Sequence, residues 1–123
     1  MAIKKIYYNK LVRDKIPEII KLKDAKAKFR KLTPKQFKKY LLLKVEEEAS
    51  ALKTIKSKEE ITNELADVIE VIEEIKKFMK ISENEIEIER KKNMDKKGGF
   101  NKKLFLIWSE DTGYKTNEKR NAK

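Results

Sequence analysis

The stretch "SKEEITNELADVIEVIEEIKKFM", Ser57 to Met79, decides the fold because it carries the pattern of a long amphipathic helix. Ser57, with Glu60 three residues later, forms a capping box, which predicts that a helix begins at residue 58. Apolar residues then recur at the three- and four-residue spacing of one helix face. These residues are Ile61, Leu65, Val68, Ile72, Ile75 and Met79. The stretch therefore predicts a helix at about 58–80 with one buried face.

Similar signals on both sides of this stretch predict two more helices. Upstream, Thr33 is a typical N-cap residue and Pro34 suits the first helical position, so a helix is expected at about 34–55. Downstream, Ser82 begins a second capping box, and a glycine pair at 98–99 should end a helix at about 83–97. The turn between the first two helices is short, so they should pack antiparallel. We predict an all-α fold, a compact helical domain with two long antiparallel helices plus a third.

The signals near the two ends of the sequence are weaker. Asp14 could be the N-cap of a short helix, and "AKFRKL" at 27–32 resembles a short strand. The apolar run Leu104–Trp108 suits a strand or an extended packing arm. We predict one domain over residues 1–108, followed by a polar and mobile tail at 109–123.

The composition excludes several kinds of site. The 123 residues include no cysteine and no histidine, which removes disulfides, thiol nucleophiles, imidazole bases and zinc held by either residue. Any metal must be bound by oxygen, which favours Mg²⁺ or Mn²⁺. No apolar run approaches the roughly 20 residues of a membrane span, and the first ten residues lack the apolar core of a signal peptide. We expect a cytoplasmic protein with no membrane partner.

The net charge of +11 is compatible with several anionic partners. It arises from 32 Lys and Arg against 21 Asp and Glu, and it would suit nucleic acid, an anionic membrane or a phosphate-bearing small molecule. The bias of a lysine-rich genome would give the same excess on a solvated surface. A nucleic-acid-binding module should show exposed aromatic side chains on a basic face. Phe37, Tyr40 and Phe78 lie on or next to the apolar helix stripes instead, so nucleic acid is not the expected partner.

Three carboxylates face the predicted core rather than solvent. Glu48 lies within the apolar stripe of the first long helix, Glu64 points into the stripe of the second, and Asp67 lies on its shoulder. An unpaired carboxylate in an apolar interior destabilises the fold by on the order of several kcal/mol, so such groups are normally ion-paired or bound to a metal. Lys44 could pair with Glu48 at i, i+4, and Glu64 with another basic residue. A divalent-metal site explains all three carboxylates together and would allow metal-activated water to attack a phosphorus atom.

The motifs resemble those of a known family. Glu47-Glu48 followed by Glu64-x-x-Asp67 resembles the EExxE and ExxD signature of the all-α nucleoside triphosphate pyrophosphohydrolases, the MazG-like and phosphoribosyl-ATP pyrophosphohydrolase-like group. The house-cleaning branch of that group is similar at "YNKLVRDKIPEII", Tyr8 to Ile20, and at the GGF string that begins at Gly98. The resemblance covers roughly residues 6 to 108, with the motifs in the same order.

The resemblance implies a function and a set of site residues. The reaction would be Mg²⁺- or Mn²⁺-dependent cleavage of a nucleoside triphosphate between its α and β phosphates, with non-standard nucleotides as substrates. Glu48, Glu64 and Asp67 would be the metal ligands, and Glu47 and Glu48 the catalytic carboxylates, with Glu47 acting as an outer base or ligand. The chain would form a homodimer or a larger homo-oligomer, with the helices of the partner subunit completing a bundle.

One position departs from the family pattern. The first motif would place a glutamate at position 51, where this chain has Ala51. Either water replaces the missing oxygen, or a metal ion and the activity are lost. The alternative function is therefore a catalytically degenerate nucleotide-binding or regulatory protein of the same fold.

Basic residues near these motifs are candidates for binding phosphate. Arginine offers a forked match to phosphate oxygens and lysine a point charge, while the apolar pair 11–12 would anchor the N-terminal segment to the core. The predicted phosphate-binding residues are Lys10, Arg13, Lys15, Lys44 and Lys97. Arg13 and Lys15 could alternatively pair with surface acids such as Asp14 or Glu18.

Overall fold

The computed structural model describes residues 4–113, and over that range the chain is all-helical, with four α-helices and no strand. The helices are α1 (Ile16–Leu22), α2 (Pro34–Ser50), α3 (Lys58–Met79) and α4 (Glu83–Lys97). A 3₁₀ turn, Ala51–Lys53, follows α2. The chain forms two compact units, the first ending at Glu87 and the second beginning at Ile88. The first unit contains α1, α2 and α3, and α4 runs from the first unit into the second.

Side-chain caps start the three long helices where the sequence predicts. The Thr33 hydroxyl accepts a hydrogen bond from the Gln36 backbone N–H at 3.2 Å, and the Gln36 side chain accepts one from the Thr33 N–H at 3.1 Å. Ser82 and Glu85 make the same reciprocal pair at the start of α4. Ser57 caps α3 by accepting from a backbone N–H three residues later. Each cap satisfies an N–H group that the first helical turn leaves without a partner.

Two predicted helix boundaries need correction. The N-cap of α1 is Lys15 rather than Asp14, and Lys15 makes no side-chain cap bond. Proline in the first turn of α1 supplies the start instead, because its fixed φ suits that position. The α-helical part of α2 ends at Ser50 and not near residue 55, since the chain tightens into the 3₁₀ turn.

Helices α2 and α3 pack antiparallel, as predicted. Phe37 near the start of α2 meets Phe78 near the end of α3, with the ring centroids 5.3 Å apart in an edge-to-face arrangement. At the other end of the pair, the last turns of α2 lie beside the first turns of α3. Leu41 and Val71 have the lowest exposure among the described apolar residues, at 4% and 8%. The core of a single chain is therefore small.

The face of α3 that contacts α2 differs from the predicted stripe. It includes Val71, which the prediction omitted, and Glu64 lies within it. Ile61, Val68 and Ile75 are half-buried, as predicted, whereas four other apolar residues of α3 stay 40–57% exposed. We call them the outer α3 stripe: Leu65, Ile69, Ile72 and Met79. The predicted burial of Leu65, Ile72 and Met79 is thus wrong for one chain alone, because α2 covers only the adjoining side of α3.

The two predicted strands do not form. Residues 27–32 and Leu104–Trp108 have no regular secondary structure, and the described range offers no strand for them to pair with. The side chains of Leu104–Trp108, which we call the apolar arm, are 75–90% exposed. Of the predicted polar tail, residues 109–113 are without regular structure and 114–123 lie outside the described residues. Within residues 4–113, no helix combines the length and the apolar character that a membrane span requires.

Candidate metal and phosphate site

Three carboxylates meet where the end of α2 lies beside the beginning of α3. Glu48 comes from the last turns of α2, and Glu64 and Asp67 come from successive turns of α3. One oxygen atom from each residue lies within 4.8 Å of the others, and all three residues are half-buried. Antiparallel packing brings these positions together, because the loop between the two helices is short. We call this group the carboxylate cluster.

Within the carboxylate cluster, Glu64 lacks a compensating positive charge. Its Oε1 atom is buried and has no hydrogen-bond partner in the described part of the chain. Hydrogen bonding with Glu48, burial, and the negative charges of Glu48 and Asp67 together raise the pKa of Glu64. Because two carboxylates can hydrogen-bond only when one of them carries a proton, the cluster needs either a proton or a cation.

Lys44 neutralises the side of the cluster that lies on α2. Its ammonium lies 3.5 Å from Glu48 Oε1 and 3.2 Å from Glu47 Oε1, and the lysine side chain is largely buried. The ion-pair interpretation therefore holds for Glu48, as the i, i+4 spacing predicted. It does not extend to Glu64, whose pKa is raised by hydrogen bonding with Glu48, by burial and by the charges of Glu48 and Asp67, with no described lysine or arginine offsetting them.

Glu47 has a different environment from its neighbour in sequence. Its Oε1 accepts hydrogen bonds from Lys10 Nζ at 2.9 Å and from Lys44 Nζ at 3.2 Å. Desolvation alone would raise the pKa of Glu47, but the bonds from Lys10 and Lys44 outweigh it, and the pKa is lowered. The bond to Glu47 likewise raises the pKa of Lys10. A carboxylate held in this way is a weak proton acceptor and a strong anchor for two ammonium groups.

The N-terminal segment lies across both helices and brings a second cation to the cluster. Arg13 Nη2 lies 2.9 Å from Asp67 Oδ1, and both side chains remain partly exposed. Leu11 and Val12, between the two ion-paired residues of this segment, are half-buried. Arg13 therefore pairs with a predicted metal ligand rather than with Asp14 or Glu18, the surface acids considered from sequence.

The other predicted site residues are less closely tied to the cluster. Lys15 is exposed at the N-cap of α1. Lys97 is the last residue of α4 and belongs to the second compact unit. Ala51 is half-buried in the 3₁₀ turn, three residues after Glu48. The predicted phosphate contacts of Lys15 and Lys97 stay predictions.

A cavity that the sequence did not reveal lies beside Glu47. Its volume is about 350 Å³, and it is lined by the N-terminal segment and by α2. The lining includes Asn9, Lys10, Tyr40, Lys44 and Glu47. Tyr40 precedes Lys44 by one helical turn, so the i, i+4 spacing could have placed both on one side of α2. The contribution of Asn9 depends on the path of an irregular segment, for which the sequence carries no comparable signal.

Comparisons with protein-family models, with curated proteins and with solved structures find no match for this chain.

Proposed function

We propose that this protein is a metal-dependent nucleoside triphosphate pyrophosphohydrolase, which cleaves between the α and β phosphates to give a nucleoside monophosphate and pyrophosphate. The observation that carries the proposal is the buried, unpartnered Oε1 of Glu64 inside a group of three carboxylates. The EExxE-like and ExxD-like motifs support the same reaction by resemblance. Non-standard nucleotides, the substrates of the house-cleaning branch, are the proposed substrate class.

The donor atoms of the cluster fit Mg²⁺ or Mn²⁺. Glu48, Glu64 and Asp67 offer hard carboxylate oxygens close enough together to share one cation. Such a cation would also compensate the Glu64 oxygen that has no protein partner. When bound there, Mg²⁺ would supply Lewis acidity toward phosphate oxygens and activation of water.

The neighbouring cations are placed to bind and orient a polyphosphate. Lys10 and Lys44 both form ion pairs with Glu47, so a single carboxylate holds two ammonium groups near the carboxylate cluster. Arg13 adds a guanidinium that can bind two phosphate oxygens at once. Because Arg13 is held by Asp67, binding of a cation to Asp67 would release Arg13 toward the substrate. In this proposal Glu47 positions lysines, while Glu48 remains with the metal ligands.

The cavity beside Glu47 is the proposed site for the nucleoside. Its volume of about 350 Å³ lies within the range of small-molecule sites. Tyr40 provides an aromatic ring on which a base can stack, and Asn9 provides an amide with both donors and an acceptor. These groups would distinguish bases by their edges.

We also propose that the functional form is a homodimer. A single chain buries few apolar side chains, and the outer α3 stripe stays exposed although it is apolar. Small domains with such surfaces often bury them against a second copy. Sedimentation should give a mass near twice the chain mass of 14.6 kDa at micromolar concentration.

Ala51 supports a second candidate, a nucleotide-binding or regulatory protein without catalysis. The position lies one turn after Glu48, where the family motif has a further carboxylate, and alanine offers no oxygen ligand. Such a protein would bind nucleotide without releasing pyrophosphate.

The test is pyrophosphate release from a panel of standard and modified nucleoside triphosphates, with Mg²⁺ or Mn²⁺. We expect release by the wild type and a loss of about 100-fold or more in Asp67→Asn, which removes a ligand charge but keeps its shape. Asp24→Asn is the matched control, because Asp24 is exposed and asparagine tolerates its positive φ of 56°. Nucleotide binding without pyrophosphate release, and without heat on titration with either metal, would favour the non-catalytic protein.

A further inference from the structure

The second compact unit carries an exposed apolar segment. The apolar arm, Leu104–Trp108, places five large side chains in succession, each 75–90% exposed, and Phe100 just before it is 95% exposed. Soluble proteins rarely leave a contiguous apolar surface of this kind uncovered, so such a surface usually marks an interaction site.

The residues before the arm are strongly basic. Between positions 90 and 103 the sequence has seven Lys or Arg residues and one acidic residue, Asp95. Gly98 has a φ of 78°, in the left-handed region that favours glycine, and it ends α4. The apolar arm therefore directly follows a segment, the end of α4 and the residues up to 103, that carries a high positive charge.

Helix α3 shows the complementary character. Between positions 59 and 75 it has seven Asp or Glu residues and no Lys or Arg, and five of the seven lie outside the carboxylate cluster. The outer α3 stripe runs through the same part of the helix, with Leu65, Ile69 and Ile72 at 40–57% exposure. An apolar surface set in an acidic helix suits a partner that combines apolar and basic residues.

We infer that the apolar arm of one chain packs on the outer α3 stripe of a second copy, with its basic flank along the acidic residues of that helix. This inference rests on the dimer proposed above and specifies which surfaces meet. A two-fold dimer makes the exchange reciprocal, so each chain both gives and receives an arm. Lys97, Lys102 and Lys103 would then lie along the helix that carries Glu64 and Asp67 of the other subunit.

The area that would be buried is sufficient for a stable dimer. Successive side chains of an extended segment point to opposite sides, so about half of the large side chains of each arm would face the receiving helix. At on the order of 150 Å² each, and with a comparable area from the receiving stripes, two exchanged arms would bury roughly 1,500 Å² in total. This is the size of a standard specific interface. Opposite charge on the two surfaces would favour one orientation of the arm and would make dimerisation depend on ionic strength.

The absence of native cysteine allows a direct test by disulfide trapping. One chain carries Ile69→Cys alone, and a second chain with a distinguishable tag carries Phe105→Cys alone. Under mild oxidation without nucleotide or metal, the mixture should give mainly the mixed covalent dimer. Replacing Ile69→Cys by Lys38→Cys, at an exposed position of α2, is the matched control and should give little product.

Sedimentation of two arm variants provides an independent measurement. Leu106→Asp should shift the protein toward the 14.6 kDa monomer with unchanged helical circular dichroism, because Leu106 is 75% exposed in one chain. Ser109→Asp adds the same charge beside the arm and should remain dimeric.

Several results would overturn the inference. The first is a dimer linked mainly through two copies of Ile69→Cys. The second is an intrachain disulfide in a chain that carries both Ile69→Cys and Phe105→Cys, without mixed cross-linking between the single variants. The third is a dimer that Leu106→Asp leaves intact. Binding of the wild type to anionic vesicles without any mixed cross-link would identify the arm as a lipid-binding segment instead. None of these measurements depends on hydrolysis, so failure of this inference is distinguishable from failure of the proposed activity.

Discussion

Glu47 and Glu64 are both half-buried glutamates near the same helix junction, but their surroundings are opposite. Glu47 receives hydrogen bonds from two lysines on one oxygen, which lower its pKa. Glu64 hydrogen-bonds with Glu48 and lies beside Asp67, which raises its pKa, and its Oε1 has no hydrogen-bond partner among residues 4–113. Partial burial is common to both residues, so it does not identify the site. The local balance of charge identifies it, because two lysines contact Glu47, whereas none of the described ion pairs includes Glu64.

This difference also explains why neighbouring residues are assigned different roles. Glu47 and Glu48 are adjacent in α2, and Lys44 contacts both. Glu47 is also paired with a second lysine, Lys10. Among the described ion pairs, Glu48 has only Lys44, which it shares with Glu47, and it also faces Glu64. A metal ion would therefore be stabilised between α2 and α3, and not beside the N-terminal segment.

The largest effect is expected from Glu64→Gln. The amide keeps the shape but removes the charge that the cluster does not compensate, so the protein without metal should be at least as stable as the wild type. Addition of Mg²⁺ should raise the melting temperature of the wild type and leave that of the variant unchanged. Pyrophosphate release should fall by about 100-fold or more. Thermal denaturation with and without Mg²⁺ measures the first effect.

Glu70→Gln is the matched control for this change, because Glu70 is an exposed glutamate on the same helix and does not line the cavity beside Glu47. It should keep both the response to Mg²⁺ and the activity. A Glu64→Gln variant that is destabilised and still responds to Mg²⁺ would show that the wild-type carboxylate is structural, and the contrast with Glu47 would lose its functional meaning.

The next effect is expected from Arg13→Ala, which removes the only cation paired with Asp67 among the described ion pairs. Because Arg13 and a metal ion would compete for Asp67, the variant should bind Mg²⁺ more tightly in the absence of nucleotide. It should also lose a phosphate contact, so KM should rise by about 10-fold. Calorimetric titration of Mg²⁺ and steady-state kinetics measure the two effects separately.

Lys5→Ala is the control for Arg13→Ala, since Lys5 is an exposed cation in the same N-terminal segment and was not predicted to contact phosphate. Weaker Mg²⁺ binding in Arg13→Ala, with an unchanged KM, would mean that Arg13 only fastens the N-terminal segment to α3.

The sequence predicted the helices well because the signals that start them are local. Thr33, Ser57 and Ser82 cap the backbone three residues ahead, and no distant contact is required. The convergence of Glu48 and Glu64 could also be anticipated, because a short loop forces the ends of two amphipathic helices together. The pairing of Arg13 with Asp67 could not, since these residues are 54 positions apart and joined through an irregular segment.

The errors have a common physical origin in the small core of one chain. The period of α3 allows either of two adjoining apolar faces to be buried, and contact with α2 selects the face of Val71 over that of Ile72. The arm at Leu104–Trp108 has the composition of a strand but no strand to pair with in the described range. Both errors concern surfaces whose burial depends on something beyond the local sequence.

A smaller effect is expected from Ala51→Glu, which supplies the carboxylate that the family motif would have. Position 51 begins the 3₁₀ turn, three residues after Glu48 in α2, and side chains three residues apart are neighbours on a helix surface, so the new carboxylate should lie beside Glu48. Mg²⁺ should bind about 10-fold more tightly, and activity should rise. Thr54→Glu adds the same charge at an exposed position just after the turn and should change neither quantity. Weaker metal binding in Ala51→Glu would show that the cluster cannot accept a fourth carboxylate.

The smallest effect is expected from Glu47→Gln, which tests the glutamate whose charge is compensated by two lysines. The side chains of Lys10 and Glu47 are 40% and 38% exposed, so losing the carboxylate should reduce the free energy of unfolding by no more than about 1 kcal/mol. Because the folded protein holds the pKa of Glu47 below its ordinary 4.5, this contribution is fully present above pH 4.5 and disappears as the pH falls through the lowered value. In urea denaturation without metal, the free energies of unfolding of the variant and the wild type should therefore differ at pH 7 and agree in strong acid. The control Glu70→Gln should leave the free energy of unfolding unchanged at both pH values. If Glu47→Gln still differed from the wild type in acid, the effect would come from packing, and the lysines would not be the reason that Glu47 differs from Glu64.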